Sequence, residues 1–158
     1  VVLSRGITVL KQFVEATEDS CSDVVVEALR LLASSHAVYN EHESTKRLVE
    51  KLDVIPTYVK KIQDRDDAVV CTACSAAAKV FDIKEAFIPF ITAGGVEAVT
   101  NALKRSEEAM TVVEACEVIS KLGMFGMGLE RCTKVKTIAA LLPHVRHENV
   151  AVRTSSSA

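Results

Sequence analysis

The segment TAGGVEAVTNAL, residues 92–103, decides the fold because its pattern occurs again elsewhere in the chain. A Gly-Gly pair precedes an apolar stripe of Val96, Val99 and Leu103, which have the i, i+3, i+7 spacing of an amphipathic helix. Taken alone, Gly94-Gly95 has two explanations. It is either a turn between packed helices or a helix start whose free amides bind a phosphate.

The same stripe occurs three more times, and its starts are separated by 48, 41 and 42 residues. The residues that correspond to Gly94-Gly95 are Asp53-Val54 and Lys136-Thr137, which is too variable for a phosphate loop. We therefore expect a sharp turn, where glycine permits a positive φ and a close approach of two backbones. The three further stripes are Ile7, Leu10 and Val14; Ile55, Tyr58 and Ile62; and Ile138, Leu141 and Val145.

A longer helical pattern follows each of the first three stripes, over residues 23–35, 67–81 and 109–123. Aligned on Ala28, Ala73 and Ala115, these segments are apolar around most of their girth, which predicts an inner, buried helix. Weaker helical segments lie at 43–52, 84–93 and 128–135, and Pro89 should bend or shorten the second of them. A further copy of the inner helix begins at residue 149.

One unit therefore consists of a short helix, a second helix and a longer third helix, and the sequence predicts an all-α protein. The expected units span about residues 1–42, 43–83 and 84–127, with an incomplete unit at 128–158. The chain starts at Val1 rather than Met, so we expect a fragment of a longer array, and self-association through its ends is a further expectation.

The segment GGVEAVTNALKRSEEAMTVVEACEVISKL, residues 94–122, resembles an armadillo repeat, and residues 53–80 resemble the same unit. The resemblance covers essentially the whole chain and implies a right-handed α-solenoid of three-helix repeats, with the Gly-Gly pair as the turn between the first and second helices. It also implies that the third helices line a concave groove that binds a partner protein or an extended peptide.

On this alignment a polar row faces the groove and forms the predicted partner-binding site: Glu27, Arg30, Ser34, Thr72, Ser75, Lys79, Glu114, Glu117 and Lys121. Lys79 and Lys121 occupy equivalent positions, so we expect them side by side and available to acidic groups of a partner. An ordinary solvated helix face is the alternative explanation of the row.

One branch of the armadillo family, the importin-α proteins, carries a Trp and an Asn on each third helix to hold an extended peptide. The Trp-like positions are Arg30, Ser75 and Glu117 here, and the Asn-like positions are Ser34, Lys79 and Lys121. This departure argues against recognition of nuclear-import signals.

The charge pattern gives no sign of nucleic-acid binding, because 19 basic and 21 acidic residues leave a formal charge of −2 without a Lys/Arg block longer than two. No apolar run reaches the length of a membrane span. Five cysteines, an odd number, indicate reduced thiols, so we expect a cytoplasmic or nuclear protein that is not secreted.

Two short motifs suggest metal or enzymatic chemistry, namely Cys71-x-x-Cys74 and His144-x-x-His147. Neither has a further ligand at a suitable spacing, so we expect core cysteines and surface histidines, with no cofactor.

Connections between helices are also predicted. Residues 35–43, with His36 and His42 around Tyr39, should form an exposed loop, and GMFGMG at 123–128 a flexible turn that covers a core or docks a partner. Asp64, Asp66 and Asp67 should cap and solvate the helix that follows them.

The sequence thus predicts a non-enzymatic protein–protein interaction module. A structural spacer in a larger cytoskeletal or ciliary assembly is the second hypothesis, and a metal-binding or enzymatic protein is the third.

Overall fold

The protein folds into helices that follow the predicted period. The structure, a computed structural model, describes residues 2–16, 22–39 and 54–158, and these contain helices and connections but no strand. The α-helices are α1 (Val2–Ala16), α2 (Ser22–Tyr39), α3 (Val54–Ile62), α4 (Asp67–Val80), α5 (Phe87–Thr92), α6 (Gly95–Arg105), α7 (Ala109–Gly123), α8 (Gly126–Val135), α9 (Thr137–Leu141) and α10 (Val150–Ser157). Short 3₁₀ turns lie at Lys84–Ala86 and His144–Arg146.

Equivalent helices of successive units stack on one another. The third helices form one layer, in which α2 packs on α4, α4 on α7 and α7 on α10. The second helices form the next layer, in which α1 contacts α3, α3 contacts α6 and α6 contacts α9. Because each helix meets its counterpart in the adjacent unit, the chain is an α-solenoid, as the repeat pattern predicts.

The apolar stripes are buried in the inner units. Ile55, Tyr58 and Ile62 of α3 and Val96, Val99 and Leu103 of α6 are all buried. The last stripe differs, because Ile138 and Val145 are exposed and only Leu141 packs partly against the core. No described segment covers this side of α9.

The alanines on which the units were aligned are buried. Ala73 and Ala115 have no exposed surface, and Ala28 is also buried. The prediction of an inner third helix is therefore confirmed.

The turn before α6 has the backbone that the Gly-Gly pair predicts. Gly94 has φ 82°, in the left-handed region, and a Cβ on Gly95 would overlap the ring of Phe90. Lys136, at the equivalent position before α9, has φ 61°, so the same turn forms there with a non-glycine residue. The structural explanation of Gly94-Gly95 is confirmed.

The first helices are short and rest on an aromatic cluster. Pro89 lies in the first turn of α5, which has only six residues, so the predicted shortening is confirmed. Phe87 stacks on Phe81 at 4.5 Å between ring centroids and on Phe125 at 5.1 Å. These rings connect α5 to the start of α8.

The acidic run before α4 caps that helix. The Asp66 carboxylate accepts a hydrogen bond from the Ala68 amide at 2.8 Å, and Asp64 accepts one from the Asp66 amide at 3.1 Å. A hydrogen bond from the Ser22 hydroxyl, together with the one from Ala68, holds the pKa of Asp66 below its usual range. The predicted capping role is confirmed.

Two predicted connections are shorter than expected, because helices extend into them. The expected loop at 35–43 is helical through Tyr39, because nothing in SSHAVY breaks a helix, while His42 and the predicted helix at 43–52 lie outside the described residues. In GMFGMG only Met124 and Phe125 connect two helices, since Gly126 opens α8.

Candidate functional site

The predicted partner-binding row lies on the third helices, with three residues each on α2, α4 and α7. Five of its nine side chains are exposed: Glu27, Arg30, Ser34, Lys79 and Glu117. The other four are half-buried: Thr72, Ser75, Glu114 and Lys121. The residues thus share one layer of the solenoid, and their role in binding stays a prediction.

The three polar side chains of the row on α2 bond within their own helix. Arg30 pairs with Glu27 at 2.6 Å, and the Ser34 hydroxyl donates to the Arg30 carbonyl at 2.8 Å. Both charged side chains are well exposed, so the pair adds little stability, but it leaves this third of the row electrically neutral.

Lys121 does not form the expected free pair with Lys79. Its ammonium group donates to the carbonyl of Ala78 at 2.8 Å and to the carboxylate of Asp82 at 3.1 Å. Lys121 therefore reaches across the unit boundary and caps the C-terminal end of α4, where a cation is favoured by the helix dipole. The sequence predicts its position on the helix but not this partner, which lies 39 residues away.

The charges that remain available on the row are one lysine and two glutamates. The side chains of Lys79, Glu114 and Glu117 make no hydrogen bond or ion pair with any part of the chain that the structure describes. The Thr72 hydroxyl donates to the Ala68 carbonyl of its own helix at 2.8 Å. The centre of the row therefore offers mixed charge rather than the basic strip that the Lys79–Lys121 pair suggested.

Substitution of the two lysines should distinguish the exposed Lys79 side chain from the Lys121 side chain that caps α4. We expect Lys121→Met to lower the free energy of unfolding by about 1 kcal/mol, because it removes a charge-assisted bond to a helix end. Lys79→Met, at the equivalent position of α4, should stay within about 0.5 kcal/mol of the parent protein. Urea denaturation of both variants measures the difference, and equal midpoints would contradict the capping role.

Further side chains connect the second helices of neighbouring units. The guanidinium of Arg105 on α6 donates to the carbonyls of Ile62 and Asp64 at the end of α3, the first at 3.1 Å. One unit later, the His144 ring bonds the Leu103 carbonyl at 2.9 Å at the end of α6. The sequence analysis did not predict these caps. A basic residue lies about 42 positions after each helix end, which is about one repeat, and this spacing could have indicated them.

The two motifs with metal-ligand spacing are part of the packing. The His144 and His147 rings are 6.4 Å apart, and each has a backbone partner, because the His147 Nδ1 atom accepts from the Asn149 amide at 3.0 Å. Over residues 2–16, 22–39 and 54–158 no group of three His, Cys, Asp or Glu side chains could hold a metal ion.

The described cysteines behave as small core residues. Cys74, Cys116 and Cys132 are buried free thiols, as predicted, and Cys71 is a half-buried one. Burial raises the pKa of the Cys116 thiol to about 11, and it raises that of Cys74 further. Burial, with the Glu114 carboxylate nearby, also raises the pKa of Cys71. These thiols are poor nucleophiles because the thiolate is disfavoured.

A cavity of about 320 Å³ lies between the first turns of α4 and α7, and its lining residues are not those of the row. Its lining combines carboxylates with small and apolar side chains: Asp67, Ala68, Cys71, Glu108, Met110 and Thr111. The cavity gives the third-helix layer a concave feature between two units, of a size that accepts one side chain of a partner.

No single helix in the described ranges is long and apolar enough to cross a membrane. Only the pair Lys84–Thr92 and Gly95–Arg105, bent by 75°, has the length and composition of a span when its members are taken together.

Comparison with known proteins finds similarity in structure alone. No protein-family model matches the chain, and no curated protein matches it significantly. A designed armadillo repeat protein in complex with the peptide (KR)4 superposes with a TM-score of 0.81 at 16% identity, over 95% of this chain and 61% of that chain. A second designed armadillo repeat protein gives 0.77 at 18% identity, over 96% and 61%.

An engineered protein gives a TM-score of 0.80 at 19% identity, over 94% of this chain and 59% of that one. The chain thus spans about 60% of the length of these structures. At such low identity the similarity shows the fold, which is an armadillo-like solenoid.

Proposed function

We propose that this armadillo-like solenoid is a non-enzymatic protein-binding module that holds an extended segment of a partner along its third-helix layer. The observation that carries the proposal is the row of exposed and half-buried polar side chains on α4 and α7, the same two helices whose first turns enclose a cavity between units. A designed armadillo repeat protein of the same fold binds a peptide, which supports a binding role for this architecture.

The binding surface is formed before the partner arrives. Stacking of α2 on α4 and of α4 on α7 fixes the spacing of equivalent side chains, and Lys121 and Arg105 connect consecutive units. A partner therefore bears the ordering entropy alone, which favours an extended and flexible segment over a folded domain. Lys79, Glu114 and Glu117 supply charges of both signs, so we expect a partner segment that also carries both.

The test uses a peptide selected from a random phage-displayed library against the immobilised protein, with its affinity measured by fluorescence anisotropy. Ser75→Arg combined with Glu117→Arg places two large cations at equivalent positions of α4 and α7. We expect this double variant to weaken binding at least about tenfold, which corresponds to about 1.4 kcal/mol.

The matched control lies on the second helices. Lys60 of α3 and Asn101 of α6 are exposed and occupy equivalent positions in their units. Lys60→Ala with Asn101→Ala should leave the affinity within about twofold, because a rim contact outside the binding layer contributes little. Loss of binding in this control with none in the groove variant would contradict the groove and favour the scaffold hypothesis, in which partners contact the outer face.

We also propose an intracellular location, because the odd number of cysteines in the sequence favours reduced thiols.

A further inference from the structure

A second cavity, of about 450 Å³, lies between the second helices α6 and α9, at the boundary of two consecutive units. Its buried wall is apolar and includes Leu103 and Ala140, and the exposed Pro143 extends this apolar surface. The volume is that of a ligand pocket, so the cavity has room for a large side chain. This α6–α9 cavity is separate from the third-helix row, because none of its lining residues belongs to α2, α4 or α7.

The sequence of the last unit explains why a cavity forms at this boundary. Pro143 has no amide hydrogen to continue a helix, and α9 has five residues where α6 has eleven. Between α3 and α6, the long side chain of Arg105 donates to the carbonyl of Ile62, the residue equivalent to Leu103. Between α6 and α9, the shorter side chain of His144 bonds the Leu103 carbonyl, so less of the boundary is filled.

Neighbouring units do not cover this side of the second helices. Pro143 is equivalent to Asn101 of α6 and to Lys60 of α3. Both of these residues are exposed, although α6 packs between α3 and α9, and α3 packs between α1 and α6. The cavity is therefore open because of where its residues lie on the helix, and a unit stacked on α9 would leave it open.

Two ammonium groups at the cavity are available to a partner. Lys104 and Lys136 are exposed lining residues, and their side chains make no hydrogen bond or ion pair with residues 2–16, 22–39 or 54–158. Among the lining residues that the structure describes, Glu107 is the one carboxylate, so these three groups carry a formal charge of +1. Complementary charge at the rim of a site favours and orients association, so the cavity favours an acidic partner.

The Ser106 hydroxyl is a further group that a ligand could bond. Ser106 lines the cavity and is only 6% exposed, and its oxygen accepts from the Glu108 amide at 3.2 Å. The hydroxyl donates no hydrogen bond to a described residue. Because a hydroxyl can donate as well as accept, an oxygen of a bound segment would complete its bonding.

We propose that the α6–α9 cavity docks an acidic, extended segment of a partner protein, which inserts one apolar side chain between the two units and places a carboxylate near Lys104 and Lys136. Several lining residues are exposed, so the cavity encloses only one side of its occupant. A small molecule needs most of its surface enclosed, which favours a peptide segment. This docking site is independent of the one on the third-helix layer.

The test is an NMR titration of the whole isotope-labelled chain with the blocked peptide Asp-Glu-Leu-Asp-Glu, to about 5 mM because a single anchor binds weakly. We expect the amides of Lys104, Ser106 and Lys136 to shift. The peptides Asp-Glu-Ser-Asp-Glu and Lys-Lys-Leu-Lys-Lys should bind at least about tenfold more weakly, because the first lacks the apolar anchor and the second the negative charge. Equal affinity for all three peptides, or no shift at these amides, overturns the proposal.

Lys136→Gly separates binding from stability. Lys136 has φ 61°, a left-handed backbone that costs a lysine energy but not a glycine. We therefore expect Asp-Glu-Leu-Asp-Glu to bind about fivefold more weakly to this variant, while its urea midpoint equals or exceeds that of the parent. Should the glycine variant fail to fold, Lys136→Asn replaces it, since asparagine tolerates the same backbone. Unchanged affinity for the peptide contradicts the proposal.

Two further variants fix the sign of the charge effect and the place of binding. Glu107→Gln removes the opposing carboxylate and should strengthen binding of the same peptide about twofold. Ser75→Arg with Glu117→Arg, on the third-helix row, should leave the affinity within about twofold. A larger change in that double variant would place the acidic peptide on the row and overturn the second site, whereas the phage-selected peptide tests the row itself.

Discussion

Ala73→Leu and Ala115→Leu are each expected to lower the free energy of unfolding by about 1–3 kcal/mol, the usual cost of overpacking a filled core. Both alanines have no exposed surface, and the helices that carry them, α4 and α7, pack on each other. A leucine there has no free volume to enter, so the helices must separate or the side chain must leave its preferred rotamer. The damage should extend to both neighbouring unit interfaces, because the helix is shared between them.

Ala68→Leu is the matched control for this pair. Ala68 lies on α4, as Ala73 does, but its side chain is exposed, so the same change should stay within about 0.5 kcal/mol. Urea denaturation followed by circular dichroism gives the three midpoints. An unchanged midpoint for both buried substitutions would show that the alignment of units on these alanines is wrong.

Gly128→Ala is expected to lower the free energy of unfolding by at least about 2 kcal/mol, toward the upper range of overpacking. A Cβ at Gly128 would overlap the carbonyl group of Leu122, near the end of α7. The obstacle is backbone, which cannot rotate away as a side chain can. Separation of α7 from α8 is therefore required, and it would disturb the stacking of Phe125 on Phe87.

Gly126→Ala tests whether the effect comes from this contact or from loss of glycine as such. Gly126 lies two residues earlier in the same helix, and a Cβ there would have nothing within 4 Å. Its substitution should be neutral or stabilise by about 0.5–1 kcal/mol, because alanine is the better helix former. Equal thermal midpoints for the two variants would contradict the close approach of α8 to Leu122.

Much of the fold could be predicted because each unit of a solenoid has a similar sequence pattern. The stripe of Val96, Val99 and Leu103 recurs with a fixed period, and local pattern is sufficient where every contact is with the adjacent unit. The turn at Gly94-Gly95 was also predictable from local sequence, since Gly94 has a positive φ and Gly95 lies too close to Phe90 for a Cβ. The end of α2 was predicted too early because its last residues carry neither a glycine nor a proline to mark the helix end.

The candidate site was predicted less completely, as the pair of Lys79 and Lys121 shows. Sequence alignment correctly gave the two residues equivalent places on consecutive third helices. It gave no information on Asp82, which lies at the end of α4 and meets Lys121 only after α7 has packed beside it. The pair is therefore unequal, with one ammonium group used in the fold and the other facing solvent.

The sequence by itself determined the helical class, the period, the inner face of each third helix and the turn before α6, because each depends on residues within about one unit of chain. Only the tertiary structure decided which charged groups bond across a unit boundary and where Gly128 lies against a carbonyl group. The Lys121–Asp82 pair joins residues 39 positions apart, and the contact of Gly128 with Leu122 joins two consecutive helices, so both are fixed only when the helices pack together.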